Sequence, residues 1–260
     1  MIMQCQKGAL DNIDRAISID RHSIIVTGIA NCGKTYVCKQ WANKLHIPDF
    51  YTCSPTVSDI RSTLDIASNE SSPVVLCIEN LDAGQVKAAY PLLKILEDCP
   101  NHLYISITCS NIRHIPDTIV SRCTVIDIGT PTSNDIMQFA MSIDPNKYAD
   151  INQTLIWKCV RGFGDVKEIL SMDVNKLNYY DNLKNLIPFK DSISNISWKL
   201  QNYDDNTKTN IVIVIRYMYN LFTTLHDKRS CVRCLNELDQ GALSVNAVIS
   251  RFIVENKYCE

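Results

Sequence analysis

The sequence predicts an α/β protein built on a parallel sheet, with helical segments following it. Three observations carry that prediction. Short apolar runs of strand type alternate with stretches of helical spacing up to about residue 130, the pattern of a doubly wound sheet. The first run, Ile24-Ile25-Val26, feeds directly into a glycine loop, Gly28-Ile29-Ala30-Asn31-Cys32-Gly33-Lys34-Thr35, that opens a helix. After Gly129-Thr130-Pro131 the strand signals fade and helical patterns remain.

Taken in order, residues 1–22 read as a helical lead-in with Leu10, Ile13 and Ile17 on one face. The first strand and the glycine loop follow, then a helix from Lys34 to about Ala42. Asp49–Cys53 reads as a second strand, stopped by Ser54-Pro55, and Ser58 opens a helix whose Ile60, Leu64 and Ala67 share a face. Beyond the turn Ser71-Ser72-Pro73, the continuous run Val74–Ile78 is expected of a central parallel strand buried on both faces. A helix is then predicted with Val86, Ala89, Tyr90, Leu93 and Leu96 on its buried side; Pro91 either kinks it or marks a fresh start near Tyr90. Leu103–Thr108 and Val125–Ile128 are the next strands. Short helices are expected over Asn134–Ser142, Gln153–Arg161 and Asp165–Met172, and a long, mostly apolar one over Thr209–His226.

Composition sets limits on function. The 260 residues carry 26 basic and 28 acidic side chains, so no global field advertises nucleic acid, and any such role rests on local patches. No apolar run reaches membrane-spanning length and no secretion signal stands at the N-terminus, so a soluble, cytoplasmic protein is expected. The twelve cysteines do not suggest disulfides, because Cys77 and Cys109 lie in apolar runs and Cys32 lies in the glycine loop. Cys231 and Cys234 form a close pair with no second pair at zinc spacing, so structural thiols are expected there and no zinc.

The glycine loop is the pattern G-x-x-x-x-G-K-[ST] in its strand-then-helix context, a nucleoside-triphosphate site. Its glycines let backbone N–H groups approach phosphate oxygens, and the helix behind adds the positive end of its dipole. Residues Gly28 to Tyr36 are therefore the candidate ATP cradle, with Lys34 on the β- and γ-phosphates and the Thr35 hydroxyl on Mg²⁺. Glu79 ends the Val74–Ile78 strand, where a carboxylate can hold Mg²⁺ directly or through water.

Four stretches narrow the reading: Val74–Asn80, Tyr90–Asp98, Ile115–Cys123 and Gly164–Lys167. Together the Leu92-Leu93-Lys94-Ile95-Leu96-Glu97 helix and Ser121-Arg122-Cys123 after Ile115-Pro116 resemble the AAA+ subunits of replicative sliding-clamp loaders, bacterial gamma/tau and delta-prime. The stretch Pro48–Tyr51 also looks like delta-prime, and the resemblance runs from Ser23 to about Met172. It implies a RecA-like ATPase domain over 1–130, a three-helix lid over 131–175 and an all-α collar over 176–260. It further implies that Arg122 is an arginine finger acting in trans on a neighbour's ATP, Ser110 the sensor-1 group and Lys167 the sensor-2 base. By their own residue types, Ser110 fits a turn cap equally well and Lys167 a solvated helix face. The partners implied are other clamp-loader subunits in a five-membered ring, a sliding clamp and primer–template DNA, the last approached by Arg61 and Lys87.

The chain departs from that pattern at Asn80, which stands where active members carry the second acid of Asp-Glu. A neutral amide orients water but accepts no proton, so ATP is expected to be bound well and hydrolysed weakly. The four-cysteine zinc module of bacterial relatives is missing between Trp41 and Asp49. Two other readings stay open: a non-catalytic scaffold subunit of the delta-prime type, and another AAA+ replication protein such as a helicase loader.

Overall fold

The computed structural model describes residues 3–84, 86–175, 177, 178, 215, 229, 231–235 and 237. The predicted helix Thr209–His226 and most of the expected collar lie outside the described residues. Two compact units are present: Met1–Ile143 with Arg161–Lys167, and Asp144–Val160 with the described residues from Glu168 onward.

The first unit holds five parallel strands: β1 (Ser23–Thr27), β2 (Asp49–Cys53), β3 (Val74–Ile78), β4 (Leu103–Cys109) and β5 (Thr124–Asp127), in the order β2-β3-β4-β1-β5. Its helices are α1 (Gln4–Ser18), α2 (Lys34–Lys44), α3 (Val57–Ser68), α4 (Tyr90–Glu97), the short α5 (Asp117–Val120) and α6 (Ser133–Ile143). Alternation along each strand sorts the core into two layers. Ile25, Leu76, Ile78, Ile105 and Ile107 pack beneath α3 and α4, with Ile60, Leu64 and Leu92. Ile24, Val26, Val75, Cys77 and Ile126 pack beneath α1 and α2, with Leu10, Ile13, Val37 and Trp41. All five residues of β3 are buried, as its unbroken apolar run predicts.

Position in the sheet is what the run of strands could not reveal: β4 inserts between β1 and β3. Its register sets Cys109 beside Thr27 and Ile107 beside Ile78, so the residues that leave β1, β3 and β4 emerge side by side at one edge. Helix α1 closes the far layer. Its N-terminus has no side-chain cap of its own, and Asp135 of α6 accepts the Gln4 N–H at 3.0 Å instead.

Of the two readings of Pro91, the fresh start near Tyr90 holds, and the placing of Val86 in the same helix is corrected. A 3₁₀ turn, Val86–Ala89, precedes α4, which starts at Tyr90 with Pro91 in its first turn. There the missing proline N–H has no intrahelical partner to lose. The fresh start also rotates Tyr90 out of the core, leaving it 61% exposed, while Ala88, Ala89, Leu92 and Leu96 are buried.

In the second unit, α7 (Pro145–Ile151) and α8 (Leu155–Lys158) are short. Helix α7 is capped by Asp144, which accepts the Lys147 N–H at 2.9 Å, with Pro145 in its first turn. No helix was expected there. The helix expected over Gln153–Arg161 is reduced to α8, because Thr154 is extended (ψ 161°) and i→i+3 bonds from Cys159 and Val160 tighten its end. Tyr148 meets Trp157 edge-on at 5.0 Å, and the Lys147 ammonium donates to the Met172 carbonyl at 2.6 Å. Helix α9 (Phe163–Ser171) begins in the first unit and ends in the second. Cys231 and Cys234 are both buried. Among the described residues no group of three or more His, Cys, Asp or Glu side chains could hold a metal ion, and no helix is long and apolar enough to cross a membrane.

Candidate nucleotide site

Helix α2 starts directly on the loop. Its N-cap is Gly33 at φ +96°, a conformation natural to glycine, and no side chain caps the first turn. The first-turn N–H groups are thus left for an anion. Gly33 is constrained in space as well, since a Cβ there would stand 2.5 Å from Gln6 Nε2. Gln6 is itself buried and donates to the Cys32 carbonyl at 3.3 Å, which fastens α1 to the loop. Cys32 is wholly buried, and burial raises its thiol above the ordinary range, so it acts as an apolar anchor.

Lys34 is nearly buried. Its ammonium donates to the carbonyls of Gly28 at 3.0 Å and Ile29 at 2.9 Å, and to Ser110 Oγ at 3.3 Å. Next to it, the Thr35 hydroxyl donates to Glu79 Oε1 at 2.9 Å. The predicted loop, the strand-end acid and Ser110 are therefore joined in one hydrogen-bonded constellation, built from residues leaving β1, β3 and β4. A hydroxyl paired with a carboxylate is a hard-oxygen donor set, which fits Mg²⁺. The uncapped helix start and the lysine beside it fit the phosphates of a nucleotide.

A cavity of about 410 Å³ is lined by Lys34 and Thr35 of this constellation and by Asn31, Tyr36, Asn80, Phe163 and Lys167 among others. Lys167 stands with its ammonium 6.0 Å from the centroid of Phe139, which meets Phe163 edge-on at 4.9 Å. Ile29 and Ala30 lie exposed on the outer turn of the loop. Asn80 is left-handed at φ +50°, and its N–H donates to the buried Thr108 hydroxyl at 2.9 Å.

Arg122 is not brought to this cavity. Thr27 pairs with Asp127 and Ile24 with Thr124, so β5 starts level with the start of β1. Arg122, two residues earlier, sits at the end of the sheet away from Gly28, a strand length of about 10 Å or more. There its guanidinium donates to Glu97 Oε1 at 2.6 Å and to the Thr118 carbonyl at 2.7 Å, at the half-exposed surface. Arg61 on α3 and Lys87 in the 3₁₀ turn are exposed, on two elements that pack together.

Two features went unread in the sequence. Asp82 accepts the N–H groups of Ser110 and Asn111, both at 2.9 Å, and so fixes the turn that carries Ser110. Asn31 bonds to Asp165 across 134 positions of sequence. Both are long-range contacts with no local pattern; Asp82, three residues past Glu79, was the one with a positional hint.

Residues 19–132 match the family described as DNA polymerase III, delta subunit. The chain is 23% identical over 221 residues to the DNA polymerase III subunit gamma of Buchnera aphidicola subsp. Acyrthosiphon pisum (strain APS), covering 70% of this chain and 60% of that one. It is 28% identical over 121 residues to the sliding-clamp-loader large subunit of Escherichia phage RB69, covering 44% of this chain and 38% of that one. The chain thus spans less than two thirds of the length of each of these relatives. Its fold matches a gamma subunit-related protein of Thermotoga maritima MSB8 with a TM-score of 0.60 at 14% identity, over 96% of this chain and 99% of that one. These matches bear out the resemblance to the DNA polymerase III gamma and delta type of subunit.

Proposed function

With residues 19–132 matching the DNA polymerase III delta-subunit family, we propose that this chain is an ATP-binding subunit of a sliding-clamp loader, which helps to open a clamp and place it on primer–template DNA. One observation carries the nucleotide half of that reading. Lys34, the uncapped start of α2 and Thr35 line one cavity, and the Thr35 hydroxyl is paired with Glu79. Gly28–Tyr36 would hold the phosphates, Thr35 and Glu79 the Mg²⁺, and Lys167 would reach the terminal phosphate from α9. Bound Mg²⁺ would neutralise phosphate charge; orienting the nucleotide is the work of the chain's own residues.

Asn80 supports weak turnover in this site. Its amide hydrogen-bonds a water but takes no proton, and loss of general-base help costs about 10²–10⁴-fold in rate. The position of Arg122, away from its own loop, supports a role on a neighbouring subunit. A ring of such subunits, a lid over 131–175 and a collar over 176–260 complete the proposal, with Arg61 and Lys87 as phosphate contacts to DNA. The delta-type match of residues 19–132 favours a second reading, in which the chain is chiefly a scaffold and ATP its structural ligand.

The test is nucleotide binding and ATPase on the wild type and Lys34→Ala, alone and with candidate partner subunits, clamp and primed DNA. Magnesium-dependent ATP binding is expected, weakened at least about tenfold by Lys34→Ala, as loss of a charged phosphate partner commonly does. Fast turnover by the chain alone, abolished by Lys34→Ala, overturns weak hydrolysis. Absence of any ATP binding overturns the nucleotide reading, and a helicase bound in place of a clamp overturns the clamp-loader reading.

A further inference from the structure

The phosphate loop is fastened to the start of α9 by contacts that none of the roles above requires. Asn31, inside the loop, is left-handed at φ +61°, which turns its side chain and its carbonyl toward the Gly162–Asp165 turn. The side-chain amide donates to Asp165 Oδ1 at 2.5 Å, and the carbonyl accepts the Gly164 N–H at 3.3 Å. The other carboxylate oxygen of Asp165 accepts the Arg161 N–H at 2.9 Å, so one side chain both closes the turn into α9 and grips the loop. The approach is too close for any residue but glycine. A Cβ on Gly162 would stand 2.5 Å from the Asn31 carbonyl oxygen, and one on Gly164 would stand 2.6 Å from Asn31 Oδ1. Lys167 follows two residues after Asp165 and lines the cavity.

We propose that Asn31 and Asp165 form a latch that positions Lys167 over the phosphate loop, so that the loop and the lysine move as one element and the site prefers a nucleoside triphosphate to a diphosphate. Neither latch residue needs to touch the nucleotide for this. Asp165 stands two residues before the lysine at the start of α9, and Asn31 shares the loop with the N–H groups proposed to face phosphate. A ligand that uses Lys167 at its terminal phosphate gains from the latch; one that ends at the second phosphate does not. The inference rests on the proposed nucleotide reading.

The test compares the ratio of ADP to ATP dissociation constants in the full chain for the wild type, Asn31→Gly, Lys167→Ala and the double variant. Glycine keeps the left-handed backbone available and leaves the Asp165 bond to Arg161 in place, so only the latch is cut. Asn31→Gly is expected to lower the preference for ATP by about three- to tenfold, the range for a hydrogen bond to a charged group at a partly exposed site. Lys167→Ala is expected to lower it at least as far. The double variant should match Lys167→Ala alone, because the latch acts through the lysine. Equal losses of ATP and ADP affinity in Asn31→Gly, an unchanged ratio, or additive losses in the double variant each overturn the latch. Should Asn31→Gly fail to fold, Asp165→Ala, which also releases the Arg161 N–H, is measured in its place, and a fall in the ATP preference is again expected, equal losses of both nucleotides overturning the latch. A wild type that binds neither nucleotide overturns the nucleotide reading, and the latch with it.

Discussion

Asp82 gives the sharpest test of how the site is held together. It lies in the 3₁₀ turn Leu81–Ala83 after β3, and its Oδ2 accepts the Ser110 and Asn111 N–H groups, each at 2.9 Å. Its Oδ1 is buried with no hydrogen-bond partner among the described residues. Asp82→Ala removes two charge-assisted bonds. Residues 110 and 111 are exposed, so water recovers part of the loss and each bond is worth about 1–1.5 kcal/mol. Removing an unpartnered buried oxygen returns about 1 kcal/mol. The net is a destabilisation of about 1–2 kcal/mol, a fall of about 2–8 °C in Tm for a chain of this size. Asp82→Asn keeps one carbonyl oxygen for both N–H groups and should lie within about 1 kcal/mol of the wild type. Ser110 also loses its anchor in Asp82→Ala. The Lys34 bond to Ser110, 3.3 Å in the intact site, should loosen and ATP affinity fall severalfold. Thermal unfolding and a fluorescent-ATP titration on both variants read these effects. If Asp82→Ala melts with the wild type, or Asp82→Asn is as damaging as Asp82→Ala, the carboxylate is not what holds the turn.

Two further outcomes follow from the same geometry. The half-exposed pair of Arg122 with Glu97 is worth no more than about 1 kcal/mol, so Arg122→Ala should leave the melting curve nearly in place. In a reconstituted assembly the same change should depress hydrolysis at a neighbour's site by about 10³-fold or more, and undiminished ATPase there would remove Arg122 from the mechanism. Burial alone would raise the Asp135 carboxyl, but hydrogen bonds from the Thr132 side chain and N–H, and from the Gln4 and Cys5 N–H groups, outweigh it and hold it below its ordinary value. A depressed carboxyl contributes stability above its unfolded value, and that contribution is lost as pH falls through the folded one. Urea unfolding of Asp135→Asn should therefore show lower stability at neutral pH and a shallower loss in acid; an acid limb as steep as the wild type's would count against the assignment.

The central strands β1, β3 and β4 were legible because each buries two faces. Val74–Ile78 can only be apolar throughout if helices cover it on both sides, and that constraint is written in five consecutive residues. The loop was legible because its chemistry is local: glycines, lysine and threonine within eight positions. Strand order was not legible, since nothing in Leu103–Cys109 says which neighbours it takes, yet its insertion between β1 and β3 is what brings Ser110 to Lys34. Tyr90 misled for a related reason. Its spacing matched a helix running from Val86, and the restart at Tyr90 shifted the phase of the buried face. Asp82 and the Asn31–Asp165 pair carry no pattern because their partners are 28 and 134 positions away.

Asn80 shows how backbone and chemistry meet at one residue. From the sequence it is only a missing carboxylate. In the structure it is also the hinge between β3 and the turn that bears Asp82, left-handed at φ +50° with its N–H on Thr108. Asparagine enters that region at low cost, whereas a longer residue such as glutamate pays about 1 kcal/mol or more to do so. The left-handed backbone at residue 80 by itself favours asparagine over glutamate, independently of any role in turnover. A site whose strand-end turn is tied to Thr108 on one side and to Ser110 through Asp82 on the other is stabilised in a single arrangement. That arrangement keeps Glu79 on Thr35 and Ser110 on Lys34, the geometry the proposed nucleotide reading calls for, and sets beside them an amide that takes no proton from water.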